Sequence, residues 1–529
     1  MNINTNKPYI EVITINDGKN EVSALVTNMP KEYPGSDIFG EEFAQPVADK
    51  EAKEVKKQYI TWGASNRLPS DIIACANSNP YIAPSLKKLI DSTFSAGIKA
   101  YYVYYNYENG QMKRYQIEYE AAGEWLENKI SEREEELNKQ LTGAIYDEAK
   151  KSSFKTDKRL VRLRKDLEAW ERSNEEWKKF QENNNLNLWL AEQASDANYF
   201  WNWFPVLKLN VGYPDQEWKP KIVGLSHLEA VYTRKGIANK RGIVTYCVYS
   251  HAFASDINNT EGSQEDAQKQ VVIDALDPVC PVANLRDLVA SQKNNKPRSR
   301  KLDYVLPMSI PTPGKYYYSF PSWWSLIKSG IYNYMMAMFA RRAMTLENST
   351  MFKYIIHLDE EYVIYECNRR KAETDEQKMK VFNDLISMIS DFIKDPKNNG
   401  KTLISMSKTI NGQKVKWVEI ETIENPMKGS DVKEDIAEIA NVMLFAMGIH
   451  PQTVGAIPGK DKIASGTEAR ELNTLQQIYL FPMKAMIMTP LYVIKAFNQW
   501  DSHLYFDIPV HVLTTLDKNK QGVEEMNNL

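Results

Sequence analysis

A chain of 529 residues, 43% hydrophobic and 26% charged, has the composition of a globular protein with room for more than one core. Its 69 acidic and 66 basic residues leave a formal net charge of −3, which argues against the basic domain of a tight, sequence-specific DNA binder but not against weak or sliding contact with DNA. The four cysteines, Cys75, Cys247, Cys280 and Cys367, lie far apart without a CxxC pair, so a zinc ribbon and a thioredoxin motif are excluded and all four read as small core hydrophobes of a reducing compartment.

The N-terminus lacks a basic start followed by an apolar run, so no signal peptide is expected. Residues 1–58 open with a strand pattern, Tyr9–Ile15. A polar arm follows, with Pro30, Pro34, Pro46 and the charge run Asp49–Lys57. Tyr59–Pro69 reads as a turn. Ser70–Gly97 reads as one or two helices, with Ile72, Ile73 and Ala76, then Ile82, Leu86, Leu89, Ile90 and Phe94, at helical spacing. Ile98–Tyr107 is β-rich, and Asn109-Gly110 predicts a hairpin turn into Lys113–Tyr119.

Residues 120–183 are dominated by Glu, Lys and Arg, interleaved with Trp125, Leu126, Leu137, Leu160, Leu163, Leu167, Trp170 and Trp177. That pattern predicts a long antiparallel helical hairpin, a solvated arm with a narrow apolar seam, broken near Ser153–Thr156. Helix Leu188–Ala197 leads into short strands at Tyr199–Phe204, Val206–Val211, Lys221–Leu225, Ala230–Arg234 and Gly242–Tyr249. Their turn signals predict an antiparallel sheet. The polar stretch 252–304 reads mostly as loop.

Phe320-Pro-Ser-Trp-Trp-Ser325 opens a helix expected to run unbroken to about Glu347, with Trp324, Ile327, Ile331, Met335, Met338 and Ala343 on its apolar side. Residues 350–425 form a small separate module. It contains a strand at Phe352–Leu358 and an amphipathic helix at Asp375–Asp395, with Val381, Leu385, Met388, Ile389 and Phe392 on one face. A turn at Asn398-Asn-Gly400 precedes strands at Thr402–Ser407 and Lys414–Ile423. A second helix, Asp431–Met447, has Val432, Ile436, Ile439, Met443 and Phe445 as its apolar stripe and Lys433, Glu434 and Glu438 opposite. Alone it cannot bury that stripe, so a neighbouring helix or a second copy of the chain is expected to cover it.

Next comes a loop, 448–464, with Gly448, Gly455 and Gly459, Pro451 and Pro458, and the cations Lys460 and Lys462. Glycine widens and proline narrows its backbone choices, so the loop can reach far from its anchors. Ser465-Gly-Thr-Glu468 fits a capping box for the final helix, to about Trp500, which Pro482 and Pro490 should bend. Tyr479–Phe497 within it is apolar, but Lys484, Lys495 and the two prolines argue against a membrane span and for a kinked helix buried between neighbours.

Sequence signals of catalysis are weak. Asp395-Pro-Lys-Asn-Asn-Gly-Lys-Thr402 has a phosphate-loop outline, but Asp395 replaces the first glycine and the order is helix–turn–strand. Ser325-Leu-Ile-Lys328 fits SxxK without its companion Lys-Thr-Gly. The six histidines show no metal-ligand spacing. No enzyme activity, cofactor or metal is expected.

Residues 319–501 are similar to the portal proteins of tailed bacteriophages, the head-to-tail connectors. The resemblance rests on Gly448-Ile-His-Pro451, Val454-Gly455, Ser465-Gly-Thr-Glu-Ala469, and Asn399-Gly-Lys401 with Trp417–Asn425. It implies an α+β fold: an N-terminal strand and arm (1–58), a mixed wing (59–318) and a stem helix (319–348). A small α/β clip (349–426) is inserted before a second stem helix (427–447). A tunnel loop (448–464), a long kinked wing helix (465–501) and a short or absent crown (502–529) complete it. It further implies a homododecameric channel for double-stranded DNA at one capsid vertex, assembled in the host cytoplasm and carried in the virion. Partners would be the terminase large subunit, the head–tail adaptor, and the major capsid and scaffold proteins. Lys460, Lys462, Gly455 and Gly459 would form the DNA-facing loop, Glu434 and Glu438 the lumen. Glu366, Arg369, Arg370, Lys371 and Asp375 would serve docking on the clip. Two other classes remain open: a metal-dependent DNA-processing enzyme of a mobile element, and a scaffold that forms no ring.

Overall fold

The computed structural model describes residues 10–16, 21–27, 46–47, 58–63, 65–140, 155–212, 217–254, 270–348, 354–394, 407–410, 413–422, 429–453, 466–513 and 523–526. Helices and sheets are mixed, and the chain is an α+β protein. It divides into two units: Met1–Gly330 with Ala440–Leu529, and Ile331–Ile439.

In the first unit, β1 (Ile10–Asn16) pairs antiparallel with β2 (Glu21–Thr27), and β3 (Pro46–Val47) with β4 (Tyr59–Ile60). Helices α1 (Leu68–Ser78) and α2 (Ile82–Phe94) follow, with Asn79 between them. Its side-chain oxygen accepts from the Tyr81 and Ile82 amides and so starts α2. Strands β5 (Lys99–Glu108) and β6 (Gln111–Glu118) form the expected hairpin. Asn109 and Gly110 have φ of 52° and 78°, the paired left-handed geometry that gives a two-residue turn the twist of its strands. Strand β18 (Leu504–Asp507) joins the free side of β5, so the C-terminal part of the chain completes a sheet begun at residue 99.

The hairpin helices are α3 (Ala122–Gln140) and α4 (Lys158–Asn183). They are not a solvated arm. Leu126, Trp177 and Phe180 belong to the main core, beside Trp189 and Leu190 of α5 (Leu186–Phe200) and Leu504 and Phe506 of β18. The charged faces are tied across the pair by Arg133–Asp157 at 2.8 Å and Arg164–Glu134 at 2.7 Å. Tyr199 and Phe200, expected in a strand, instead complete α5, which stops where Trp201 turns left-handed at φ 56°.

A seven-stranded sheet follows. Its strands are β7 (Asn202–Leu209), β8 (Ile222–Leu228), β9 (Thr233–Lys235), β10 (Tyr246–Tyr249), β11 (Val271–Ala275), β12 (Asp303–Val305) and β13 (Met308–Ser309). The order is β13-β7-β12-β11-β10-β9, with β8 also on β7, and β11–β12 is a parallel pair within an otherwise antiparallel sheet. The stretch 252–304, read mostly as loop, supplies β11, β12 and the helix α6 (Pro281–Ala290) among its described residues. Cys280 precedes α6 and is exposed, unlike the buried Cys75, Cys247 and Cys367. The expected helix from Phe320 is interrupted. A 3-10 turn and the short α7 (Ser325–Lys328) end at Gly330, whose φ of 78° breaks the run before α8 (Ile331–Asn348).

The second unit contains α8 and the strand β14 (Tyr354–Leu358), antiparallel to β17 (Val418–Thr422). Between them lie α9 (Glu360–Arg369), α10 (Asp375–Lys394) and the hairpin β15 (Ser407–Ile410)–β16 (Gln413–Lys416). Cys367, Val381 and Leu385 form its small core. Trp417 interrupts the strand expected at 414–423 and stacks on Tyr362 at 4.9 Å. Met388, placed by periodicity on the buried face of α10, is exposed.

Helix α11 (Gly429–Ala446) begins in the second unit and ends in the first. The long final helix is two: α12 (Gly466–Ile487), with Pro482 inside it, and α13 (Thr489–Asn498), with Pro490 in its first turn. Pro490 has no amide hydrogen to continue the helical ladder and is tolerated only in a first turn, so α13 starts anew there with Met488 as its N-cap. Strand β19 (Val510–Leu513) pairs with β20 (Val523–Met526).

Candidate channel and assembly surfaces

Helix α11 advances about 100° per residue. In the second unit this turns Ile436, Ala437 and Ile439 inward and leaves Glu434 and Glu438, one turn apart, exposed. In the first unit it buries Ala440, Met443, Leu444 and Met447 and exposes Val442 and Phe445. The Val432 side chain lies outside the described ones; the rest of the expected stripe, Ile436, Ile439, Met443 and Phe445, is thus not a single face awaiting cover. Ile436, Ile439 and Met443 are already buried within one copy of the chain, while Phe445 is 83% exposed, because two residues past Met443 is half a turn away.

The helix is stopped by Gly448. Its φ of 69° lets the Gly448 amide donate to the Phe445 carbonyl at 2.9 Å and the Ile449 amide to Leu444 at 2.9 Å. These are the two bonds of a Schellman end, and Ile449 and Leu444 supply its buried apolar contact. His450 then accepts from the Thr453 amide at 2.9 Å and its hydroxyl at 2.7 Å. The Lys88 ammonium of α2 donates to the Thr453 carbonyl, and burial holds the Lys88 pKa below its ordinary value. The start of the loop is therefore fixed at both backbone and side chain. Gly455, Gly459, Lys460 and Lys462, and Ser465 of the expected capping box, lie outside the described residues.

Helix α12 buries polar side chains beside the apolar Leu480 and Ile487. Gln476, Gln477 and Lys484 are buried, and Lys484 Nζ donates to Gln477 Oε1 at 2.8 Å. Burial lowers the Lys484 pKa to about 8 against the attraction of Asp507. Outward, Leu475 and Phe481 are exposed, Ile478 is 61% exposed and Tyr479 73%. Helical periodicity identifies an apolar side but not which way it points. The one sequence signal is that no charged residue occurs from Leu472 to Met483. The segment Thr467–Asn498 is long and apolar enough, by length and composition alone, to cross a membrane. Tyr479, expected between neighbours, is uncovered in one copy of the chain.

On the second unit, Glu366 is buried, and its Oε2 lies 2.9 Å from Arg369 Nη2 and 3.4 Å from Arg370 Nε. Arg370 also reaches Asp384 at 3.3 Å. Glu366 therefore locks α9 to its own basic end. Lys371 adopts φ 53° at the turn into α10, where Asp375 opens the first helical turn fully exposed, 3.5 Å from Lys378. Of the five clip residues only Glu366 is buried; Arg369, Arg370, Lys371 and Asp375 are exposed, with Arg370 engaged by Glu366 and Asp384. Among the described residues, no group of three or more His, Cys, Asp or Glu side chains is placed to hold a metal ion.

No protein-family model matches the chain, and no curated protein matches it significantly. Among solved structures it is similar to a chain of the virion of a native gene transfer agent particle. Identity there is 10% and the TM-score 0.43, over 83% of this chain and 82% of the other. A chain from the neck of the native particle, computed with C12 symmetry, gives 10% identity and a TM-score of 0.43, over 89% and 88%. One from the neck of the empty particle, computed with C6 symmetry, gives 11% and 0.42, over 83% of each.

Proposed function

We propose that the chain is a portal-type subunit: one of a homododecameric ring that conducts double-stranded DNA at a capsid vertex and docks a terminase motor and a head–tail adaptor. The single observation that supports this best is the way α11 ends. A helix with exposed acids at 434 and 438 is stopped by a rigid glycine turn, and the loop that follows starts from an anchored base. In a ring of such helices, exposed carboxylates repel phosphate and prevent sticking. Each Lys or Arg that contacts a phosphate instead adds affinity through counterion release. Lys460 and Lys462 then give the loop a weak, sliding grip on the duplex. The mechanism is geometric and electrostatic, with no catalytic step assigned to this chain.

Negative-stain images of the purified full-length chain test the reading: an annulus with a central hole is expected. Replacing Lys460 and Lys462 by alanine should leave the annulus intact and change packaging or retention of DNA. A stable monomer without a hole removes the proposal, and Mg²⁺-dependent DNA cleavage by that monomer favours the mobile-element enzyme.

A further inference from the structure

Within the first unit, two apolar surfaces are uncovered in a single copy. One is the outer side of α12, with Leu475, Ile478 and Tyr479 on adjacent turns. The other is the last turn of α11, where Val442 and Phe445 project. Both remain exposed, so neither covers the other within the chain. They differ in form. Phe445 is a single large knob on a turn held by the Gly448 and Ile449 amide bonds, whereas the α12 side is a charge-free ridge three turns long.

A contact between unlike surfaces of identical chains is heterologous, and such contacts generate rings when the rotation closes. Fully desolvated interface centres are depleted of charge and enriched in aromatic residues. We infer that the α12 ridge of one copy receives the Phe445 knob of the next, so that Ile478 and Phe445 face each other across every subunit boundary. The inference rests on the ring reading above and supplies its seam.

The occupant is a second copy and not a lipid surface for two reasons on the helix itself. Its inner side carries Gln476, Gln477 and Lys484, packed into protein, so it is not apolar all round. Helices that lie in a membrane surface are rich in Lys and Arg on their polar side; here the first turns of α12 carry two exposed acids, Glu468 and Glu471, against one cation, Arg470.

The test uses the full-length chain with the exposed Cys280 replaced by serine, since Cys75, Cys247 and Cys367 are buried. The double variant Phe445→Cys/Ile478→Cys, treated with a short bismaleimide, should give a ladder of covalent oligomers. Each single variant should stay monomeric on a denaturing gel. Ile478→Asp should abolish the annulus while circular dichroism stays unchanged. Cross-linked dimers from Ile478→Cys alone would mean a two-fold contact and overturn the inference. So would an unchanged annulus in the double variant without a ladder, which leaves the ring reading standing on another seam. A wild-type monomer that floats with phosphatidylcholine vesicles overturns both.

Discussion

Arg234 and Asn66 are joined twice: Arg234 Nε donates to Asn66 Oδ1 at 2.5 Å, and Nη2 donates to the Asn66 carbonyl at 2.9 Å. Nη1 donates to the carbonyls of Val231 and Thr233, and the guanidinium carbon lies 5.8 Å over Trp62 and 4.7 Å over Phe253. The side chain is fully buried with no carboxylate bonded to it among the described residues, so carbonyls and aromatic faces carry its charge. It fastens the segment before α1 to the sheet. Arg234→Lys retains the charge but loses the planar fork, and Arg234→Ala leaves several buried acceptors empty. Each orphaned group costs about 1–3 kcal/mol. Both variants should unfold at lower denaturant, alanine well below lysine, and early proteolysis should fall near residue 60. Wild-type stability in Arg234→Ala would disprove the fastening role.

Its neighbour Lys235 gives a pH dependence. Burial lowers the Lys235 pKa from 10.5 to about 8, which corresponds to roughly 3 kcal/mol against folding at neutral pH. The unfolded chain holds that proton up to pH 10.5 and the folded one releases it near 8, so stability rises with pH through this window; Lys484, lowered to about 8, adds to it. Cys247, opposite Lys235 in the sheet, has the reverse sign. Burial pushes its thiol from 9 up to about 12, so its folded form loses relative stability above pH 9. Urea midpoints should increase between pH 8 and 9 and rise about half as steeply from there to pH 10.5, where two lysines are opposed by one thiol. Lys235→Met should be more stable at pH 7 and lose much of the increase; a flat wild-type profile would contradict the buried-lysine cost.

Gly123, in the first turn of α3, reverses the usual helix rule. Alanine in a helix is favoured over glycine by about 1 kcal/mol. A Cβ here would lie 2.3 Å from the Trp170 ring, whose Nε1 is held by the Tyr119 carbonyl at 2.7 Å. The ring cannot move without breaking that bond, so Gly123→Ala should lower the melting temperature by several degrees. A rise would show that α4 shifts freely.

These sites show where sequence reading reaches and where it stops. The β5–β6 hairpin was legible because Asn109-Gly110 has one favoured geometry. The second unit's amphipathic helix was legible because Val381, Leu385 and Ile389 repeat every fourth residue. The β11–α6–β12 segment was not, because α6 buries only Leu285 and Val289 and the strands are short. Their partners lie far away in sequence. Gly330 was hidden inside an apolar pattern that continues on both sides of it. For α12 only the proline bend was legible, since its buried side mixes Gln476, Gln477 and Lys484 with Leu480 and Ile487 and so carries no clean apolar period.

Glu434 and Glu438 carry the electrostatic half of the proposed function. If they face a duplex, Glu434→Lys/Glu438→Lys converts repulsion to attraction in every subunit. Non-specific duplex affinity of the assembled particle should rise, and the slope of log K against log salt should steepen by about 0.9 for each phosphate newly neutralised. The glutamine pair removes repulsion without adding contacts, so it should raise affinity modestly with little change in slope. Exposure makes both changes mild for folding, since surface substitutions stay within about 0.5 kcal/mol. Filter binding across a salt series reads both quantities. An identical slope for wild type and the lysine pair would place these carboxylates away from DNA and leave the channel lining to other residues.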